Sequence, residues 1–385
     1  MNSQKTICFF TTYFIPHLGG IENYTFNLAK SLFEKGYKVI VVTTNTEKLS
    51  EKDVVDGIII YRLPIFHFTR ERFPIVKPTL NYFSLIKELT KENLDIAIIN
   101  TRFYLLSITG LILSTKLRIP AVMIEHSAGH FSVSNKVLDK LGEIYEHGIT
   151  WIIKSFKPHF YGNSKAGNQW LKHFGISSNG ILYNGIDSTY RIRDSFDFRN
   201  QFNLTKDTLL ITFLGRLIEE KGVLEFIKAA NELKKDLTLN AKYHFFIAGS
   251  GPLDNYIDKS LKKDEIVSYL GSISVDQLVC LLDQTDIFVF PTNMPEGLPT
   301  ILLEAGLSKC AVITTDRGGC TEIIPDNTYG IIIKNNSYVE IRDAIINFLD
   351  NPGYRESASH KLYEKVIHEF TWAQLSSNFI EQLKI

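Results

Sequence analysis

The sequence predicts an α/β fold made of two doubly wound domains in succession. Three observations carry that expectation. At the start, TICFFTTYF (6–14) reads as an apolar strand, GGIENYTFNLAKSLFEKG (19–36) as an amphipathic helix closed by Gly36, and YKVIVVTT (37–44) as the next strand. Such a strand–helix–strand unit implies a parallel sheet with helices on both faces. The same alternation restarts after a polar, charged stretch at 188–206. Finally, 385 residues suit two domains better than one.

Further strands are expected in the first half at GIIIYRL (57–63), DIAIINT (95–101) and PAVMIEH (120–126), with YGNS (161–164) and ILYNGID (181–187) closing it. In the second half LLITFLG (209–215) is a strand and KGVLEFIKAANELK a helix. YHFFIAG (243–249), IVSYLG (266–271), DIFVFPT (286–292), CAVITT (310–315) and GIIIK (330–334) are buried-strand runs rich in Val, Ile and Phe. The last element, TWAQLSSNFIEQLKI (371–385), is an amphipathic helix expected to cross back onto the first domain. The domains are therefore drawn as 1–187 and 188–370. Ligands in open α/β sheets bind beyond the carboxyl ends of the strands, so the natural site is the cleft between the two domains.

Composition narrows the function. Four cysteines lie far apart with no C-x-x-C, against a disulfide framework or zinc site and in keeping with a reducing cytosol. The uncharged run between Arg102 and Lys116 is too short to span a bilayer, and the N-terminus reads as a first strand, not a signal peptide. The expectation is a cytoplasmic protein. Net charge is zero, but residues 1–187 carry 21 Lys and Arg against 15 Asp and Glu, and the rest has the opposite imbalance. A basic first half could meet an anionic membrane surface, as could Arg62, Arg70, Arg72 and Lys77 interleaved with Phe66, Phe68 and Phe73; an ordinary solvated loop reads the same way. Nucleic-acid binding has no support, since the pI is about 7.1 and no basic-aromatic module appears.

Strand 209–215 runs into G-R-L-I-E-E-K-G, placing Arg216 and Lys221 at a strand's carboxyl end between Gly215 and Gly222. A forked guanidinium and a point-charge ammonium suit a diphosphate, although a surface loop with helix-flanking charges looks alike. Gly19 and Gly20 sit between the first strand and its helix, where backbone amides can approach an anion; the third glycine of G-x-G-x-x-G is missing, so a dinucleotide fingerprint fails. His126 follows a strand end and could polarise a reacting group, or be structural; Glu125, His130 and His17 are weaker candidates. In NMPEGLPTILLEAGLS (293–308), Pro295 and Gly297 make a turn and Pro299 opens a helix whose N-terminus offers amides to phosphate. Glu304 lies eight residues beyond Glu296, up to roughly 12 Å along a helix. A carboxylate among Leu302, Leu303, Ala305 and Leu307 needs a partner.

Together E-x7-E at Glu296 and Glu304, G-R-x4-K-G at 215–222, the GG loop followed by Glu22, YNGID at 183–187 and AGSGP at 248–252 resemble glycosyltransferase family 4 over essentially the whole chain. The resemblance implies the GT-B architecture of two Rossmann-like domains, and retaining hexosyl transfer from a nucleotide sugar. By it, Arg216 and Lys221 hold the donor diphosphate, Glu304 the ribose hydroxyls and Glu296 the hydroxyls of the transferred sugar. Gly297 and Leu298 amides, with Gly19 and Gly20, touch sugar and phosphate. Gly249 of the AGSGP segment belongs to the donor site, the loop Gly271–Ile273 meets the base, and His126 faces the anomeric centre. Asn184 and Gly185 form the hinge.

Pro299 stands where glycine is frequent and Tyr183 where proline is. No D-x-D pair occurs in the sequence, so the expected transfer needs no metal and no cofactor beyond the donor, a UDP-sugar by the family's habit. The acceptor is a glycan or a lipid-diphosphate-linked glycan for cell-surface polysaccharide, with the enzyme peripheral on the inner face of the membrane. A sugar-nucleotide epimerase, a glycoside phosphorylase and a non-catalytic sugar-binding protein remain alternatives.

Overall fold

The computed structural model describes residues 4–17, 19–66, 73–130, 136–188, 195–235, 242–262 and 264–385. Phe68, Arg70 and Arg72 lie outside the described residues. In chain order the elements are β1 (Thr6–Phe10), α1 (Gly20–Glu34), β2 (Lys38–Thr44), β3 (Lys52–Val55), β4 (Ile58–Leu63), the short pair β5 (Ile65–Phe66) and β6 (Ile75–Val76), α2 (Leu80–Leu89), β7 (Ile96–Asn100), α3 (Leu105–Leu117), β8 (Ala121–Glu125), α4 (Lys136–Ser155), β9 (His159–Gly162), α5 (Lys165–His173) and β10 (Gly180–Ile181). They continue with α6 (Phe198–Gln201), β11 (Leu209–Leu214), a 3-10 turn at Glu219–Lys221, α7 (Val223–Lys235), β12 (Tyr243–Ala248), α8 (Asp254–Leu261), β13 (Val267–Tyr269), α9 (Val275–Gln284), β14 (Ile287–Phe290), α10 (Thr300–Leu307), β15 (Ala311–Thr315), α11 (Cys320–Ile323), β16 (Ile331–Ile333), α12 (Tyr338–Asp350), α13 (Pro352–Glu369) and α14 (Trp372–Leu383).

Two compact units result, Met1–Asn184 with Trp372–Ile385, and Gly185–Thr371. The division falls between Asn184 and Gly185. The first unit holds a sheet of order β10-β9-β8-β7-β1-β2-β4-β3, the second one of order β13-β12-β11-β14-β15-β16. Within these two sheets every pairing is parallel except β3 on β4, and the separate β5–β6 pair is antiparallel. The central strands are apolar on both faces, with Phe9, Val41, Ile98, Phe213, Phe245 and Val289 fully buried, because helices cover each side. The edge strand β3 escaped the sequence reading. Its Lys52, Asp53 and Val54 are exposed and polar-rich, as a solvent-facing edge demands. The strand expected at 266–271 shortens to β13 because Gly271 turns the chain at φ +67°.

Helix starts follow local chemistry. Ser164 accepts from the Gly167 amide at the start of α5, and Ser274 and Gln277 form a reciprocal capping box on α9. The terminal helix α14 packs on α1 within the first unit. Leu375 and Phe379 join the cluster of Tyr24, Leu28 and Leu32, and Ser31 and Ser376 share a 2.8 Å hydrogen bond.

Candidate active site

In the second unit β11 and β14 are neighbours running in parallel, so the loops that leave their carboxyl ends lie on the same edge of the sheet. The first loop carries Arg216 and Lys221, the second Glu296. The two loops are interlocked. Gly222 has φ +79°, and a Cβ there would collide with the Pro291 carbonyl, while the Asn293 amide donates to Glu220 O at 2.7 Å. Across this contact the Lys221 ammonium meets Glu296 Oε1 at 2.5 Å, both side chains less than a fifth exposed. Thr292 Oγ1 donates to the same oxygen at 2.7 Å, and the Phe290 ring lies 5.3 Å from the ammonium. Glu296 Oε2 bonds to none of the described residues. One carboxylate oxygen is thus fixed and the other is open to a ligand hydroxyl.

Arg216 differs. It is exposed and makes no side-chain hydrogen bond or ion pair with any described residue. Its backbone is held by glycines. Gly249, at φ +135°, lies where a Cβ would strike the Gly215 carbonyl, and a Cβ on Gly251 would strike Leu217 O. The Leu217 amide donates to Ser250 O at 2.9 Å, and the buried Leu217 side chain anchors the loop. The AGSGP segment is therefore a bed on which the Arg216 loop rests.

The helix α10 begins at Thr300, with Pro299 as its N-cap and no capping side chain. Glu296 sits in the loop ahead of it, so the helical spacing of roughly 12 Å does not apply to the pair. The amides of Gly297, Leu298, Thr300 and Ile301 donate to no group among the described residues. Unpaired donors at a helix N-terminus make a cradle that an anion can occupy. Its shape rests on two glycines the sequence reading passed over. A Cβ on Gly318 (φ +54°) would collide with Glu296 O, and one on Gly319 with Gly297 O; the Gly319 amide donates to Glu296 O at 3.0 Å. A Gly-Gly pair directly after a buried strand was the available signal. One turn into α10, Glu304 is half-buried and has no side-chain partner among the described residues. Desolvation pushes its carboxyl up to about 7. Ile273, in the loop after β13, is half-exposed.

In the first unit, His126 follows β8. Its Nε2 lies 3.0 Å from Asn100 Oδ1. Asn100 Nδ2 donates to Thr25 Oγ1 at 2.7 Å, and that hydroxyl in turn donates to Ile21 O at 2.7 Å. The chain of donors fixes Asn100 Oδ1 as an acceptor, so His126 carries its proton on Nε2 and presents Nδ1 as a lone pair. Burial lowers its pKa to about 3, so the ring is neutral at physiological pH. The Tyr24 ring packs edge-on against it at 4.8 Å. Gly19 is the N-cap of α1 with no side-chain cap. A Cβ there would collide with Glu22 Oε2, whereas Gly20 faces open space. The buried Glu22 also meets His17 Nδ1 at 3.6 Å, and desolvation raises its pKa. Glu125 is buried in an ion pair with Arg102 at 2.7 Å. Arg62, expected to face a membrane, is buried and bonded to Ser50 O and Asp53.

The comparisons with known proteins match both halves. The description "Glycosyltransferase Family 4" fits residues 18–190, and "Glycosyl transferases group 1" fits residues 194–365. The chain is 24% identical over 381 residues to Uncharacterized glycosyltransferase MJ1069 of Methanocaldococcus jannaschii, covering 94% of each. It is 22% identical to the phosphatidylinositol N-acetylglucosaminyltransferase GPI3 subunit of Saccharomyces cerevisiae, over 96% of this chain and 80% of that one. Among solved structures, Anabaena Alr3699/HepE in complex with UDP and glucose superposes with a TM-score of 0.72 at 16% identity, over 99% of this chain and 100% of that one.

Proposed function

The chain belongs to glycosyltransferase family 4, an enzyme of GT-B fold, and from that premise we propose that it transfers a hexose from a UDP-sugar, without a metal and with retention, to a lipid-linked acceptor. The observation that carries this reading is the group of unbonded amides at the start of α10, together with the free Arg216 and the Lys221–Glu296 pair at the same sheet edge. Those groups supply fixed positive potential and donors for a diphosphate, the role a divalent ion fills elsewhere. Glu296 Oε2 is assigned to the hydroxyls of the transferred sugar, Glu304 to the ribose, and His126 Nδ1 to a sugar hydroxyl as its acceptor. In the proposed step the anomeric C–O bond to the diphosphate breaks while the acceptor oxygen bonds the same face. The acceptor's proton passes to the departing phosphate oxygen.

Incubating the purified chain with a panel of nucleotide sugars, each with and without a polyprenyl-diphosphate glycan, tests the reading. Acceptor-dependent release of UDP, an α-configured product from an α-configured donor, and unchanged turnover in EDTA are expected. Conversion of the sugar nucleotide without acceptor, an inverted product, or turnover abolished by EDTA would overturn it.

A lipid-linked acceptor accords with two features. The GPI3 relative is named for a phosphatidylinositol acceptor. On α4, Leu141, Ile144 and Trp151 (78% exposed) form an apolar stripe facing away from the buried Ile149 and Ile153, the pattern of a helix lying in a membrane interface. We propose α4 as a membrane contact in addition to the 62–77 region, from which the buried Arg62 is withdrawn. Trp151→Glu with Ile144→Glu is expected to lower the partition coefficient onto anionic phosphatidylglycerol vesicles by at least about 30-fold, since the two side chains together contribute roughly 2–4 kcal/mol. Equal sedimentation of variant and wild type would remove α4 from the contact.

A further inference from the structure

Outside the groups assigned above, the first unit gathers three histidines from three separate elements. His130 lies on the segment after β8, His147 on α4 and His173 at the last position of α5. One ring nitrogen from each lies within 4.8 Å of the others, with ring centroids 5.2 to 5.8 Å apart. We propose that His130, His147 and His173 form a binding site for a divalent transition metal ion of the imidazole-binding class, Zn2+ in the cell, that ties the segment after β8 to α4 and α5.

The surroundings of the cluster are those of a ligand set. His130 Nδ1 is 3.2 Å from Glu146 Oε2, and the same oxygen lies 3.1 Å from Arg102 Nη2. The pairing puts the His130 proton on Nδ1 and leaves Nε2 as the lone-pair nitrogen, the carboxylate–imidazole–metal arrangement that fixes a ligand's tautomer. Trp170 stacks on His173 at 4.8 Å with planes 6° apart. Metal–nitrogen bonds of about 2.1 Å call for nitrogens roughly 3.4 Å apart in a tetrahedron. His147 and His173 are exposed, so rotation of their side chains closes the difference. Three imidazoles with a fourth position open to water suit Zn2+, Co2+, Ni2+ or Cu2+ and exclude Mg2+ and Ca2+, which take oxygen ligands.

The ion is structural to the first unit, which separates its test from that of the transfer reaction. Untagged, EDTA-stripped full chain titrated with ZnCl2 at pH 7.5 is expected to bind one equivalent, with a rise in Tm of several degrees at saturation. CoCl2 in its place is expected to give the intense visible bands of a low-coordinate ion. H147A and H173A, both at exposed positions, should each weaken binding by at least about 10-fold, and lowering the pH to 5.5 should weaken it as the imidazoles protonate. MgCl2 should produce no shift. Absence of binding below millimolar Zn2+, a stoichiometry other than one, or equal affinity in H147A, H173A and wild type would overturn the site. Loss of Zn2+ binding in those variants with UDP-sugar turnover intact supports it as stated.

Discussion

Arg216→Ala is expected to lower kcat by about 10²–10³-fold, a loss of about 2–4 kcal/mol of transition-state stabilisation, the range for removing one preorganised donor from a developing anion. The structure makes this the cleanest substitution in the proposed donor site. Arg216 is exposed, its loop is anchored by Leu217 and by the backbone contact with Ser250, and its guanidinium makes no hydrogen bond or ion pair with any described side chain. Truncation therefore leaves no orphaned partner and no cavity, and Tm should move by less than a degree or two. Lys221 offers no such separation. Its ammonium is committed to Glu296 at 2.5 Å with both groups largely buried, so Lys221→Ala would strand a carboxylate and mix a folding penalty with a catalytic one. Paired with Glu296, Lys221 also brings less net positive charge to a diphosphate than an isolated lysine, which puts the greater share on Arg216. Steady-state kinetics at saturating nucleotide sugar, beside a thermal melt, decide the matter. Turnover within threefold of wild type would remove Arg216 from the site.

Much of the second unit was legible because its chemistry is local. A glycine-bounded loop at a strand's end places a cation wherever the strand ends, so 215–222 needed no tertiary information. The buried strands announced themselves as unbroken Val, Ile and Phe runs, and α14 by its apolar stripe. What stayed hidden depends on pairs distant in sequence. Lys221 and Glu296 are 75 residues apart, and nothing local says that they neutralise one another. Gly318 and Gly319 matter only because the 296–297 loop lies against them. Arg62 looked like a surface cation until β3, an edge strand with weak patterning, brought Asp53 beside it. The His130, His147 and His173 cluster is likewise invisible along the chain, since its members lie 17 and 26 residues apart on unlike elements.

Glu304→Gln is expected to act in opposite directions on stability and on donor binding. Desolvation raises the Glu304 carboxyl from an ordinary 4.5 to about 7, with no described partner to offset it. A folded-state pKa above the unfolded one means that folding takes up a proton between those two values, so this group's contribution to stability falls as pH rises from about 4.5 to about 7. Below that window both states are protonated and the group is neutral in effect; above it the full penalty persists. At 1.36 kcal/mol per pKa unit that penalty is at most on the order of 3 kcal/mol, and partial exposure of the side chain reduces it. The glutamine isostere carries none of it, so the variant should melt several degrees above wild type at pH 8 and level with it at pH 4.5. Donor affinity should move the other way. Hydrogen bonds from vicinal hydroxyls to a carboxylate contribute about 1.5–3 kcal/mol, so the variant is expected to bind the nucleotide sugar roughly 10–150-fold more weakly at pH 8. Because those hydroxyls favour the ionised form, binding to wild type at pH 6.5 should also release protons, seen as a dependence of the calorimetric enthalpy on the buffer's ionisation heat, and the variant should release none. A variant no more stable than wild type at pH 8, or one that binds donor equally well, would show that Glu304 is a packing residue whose carboxylate faces no ligand.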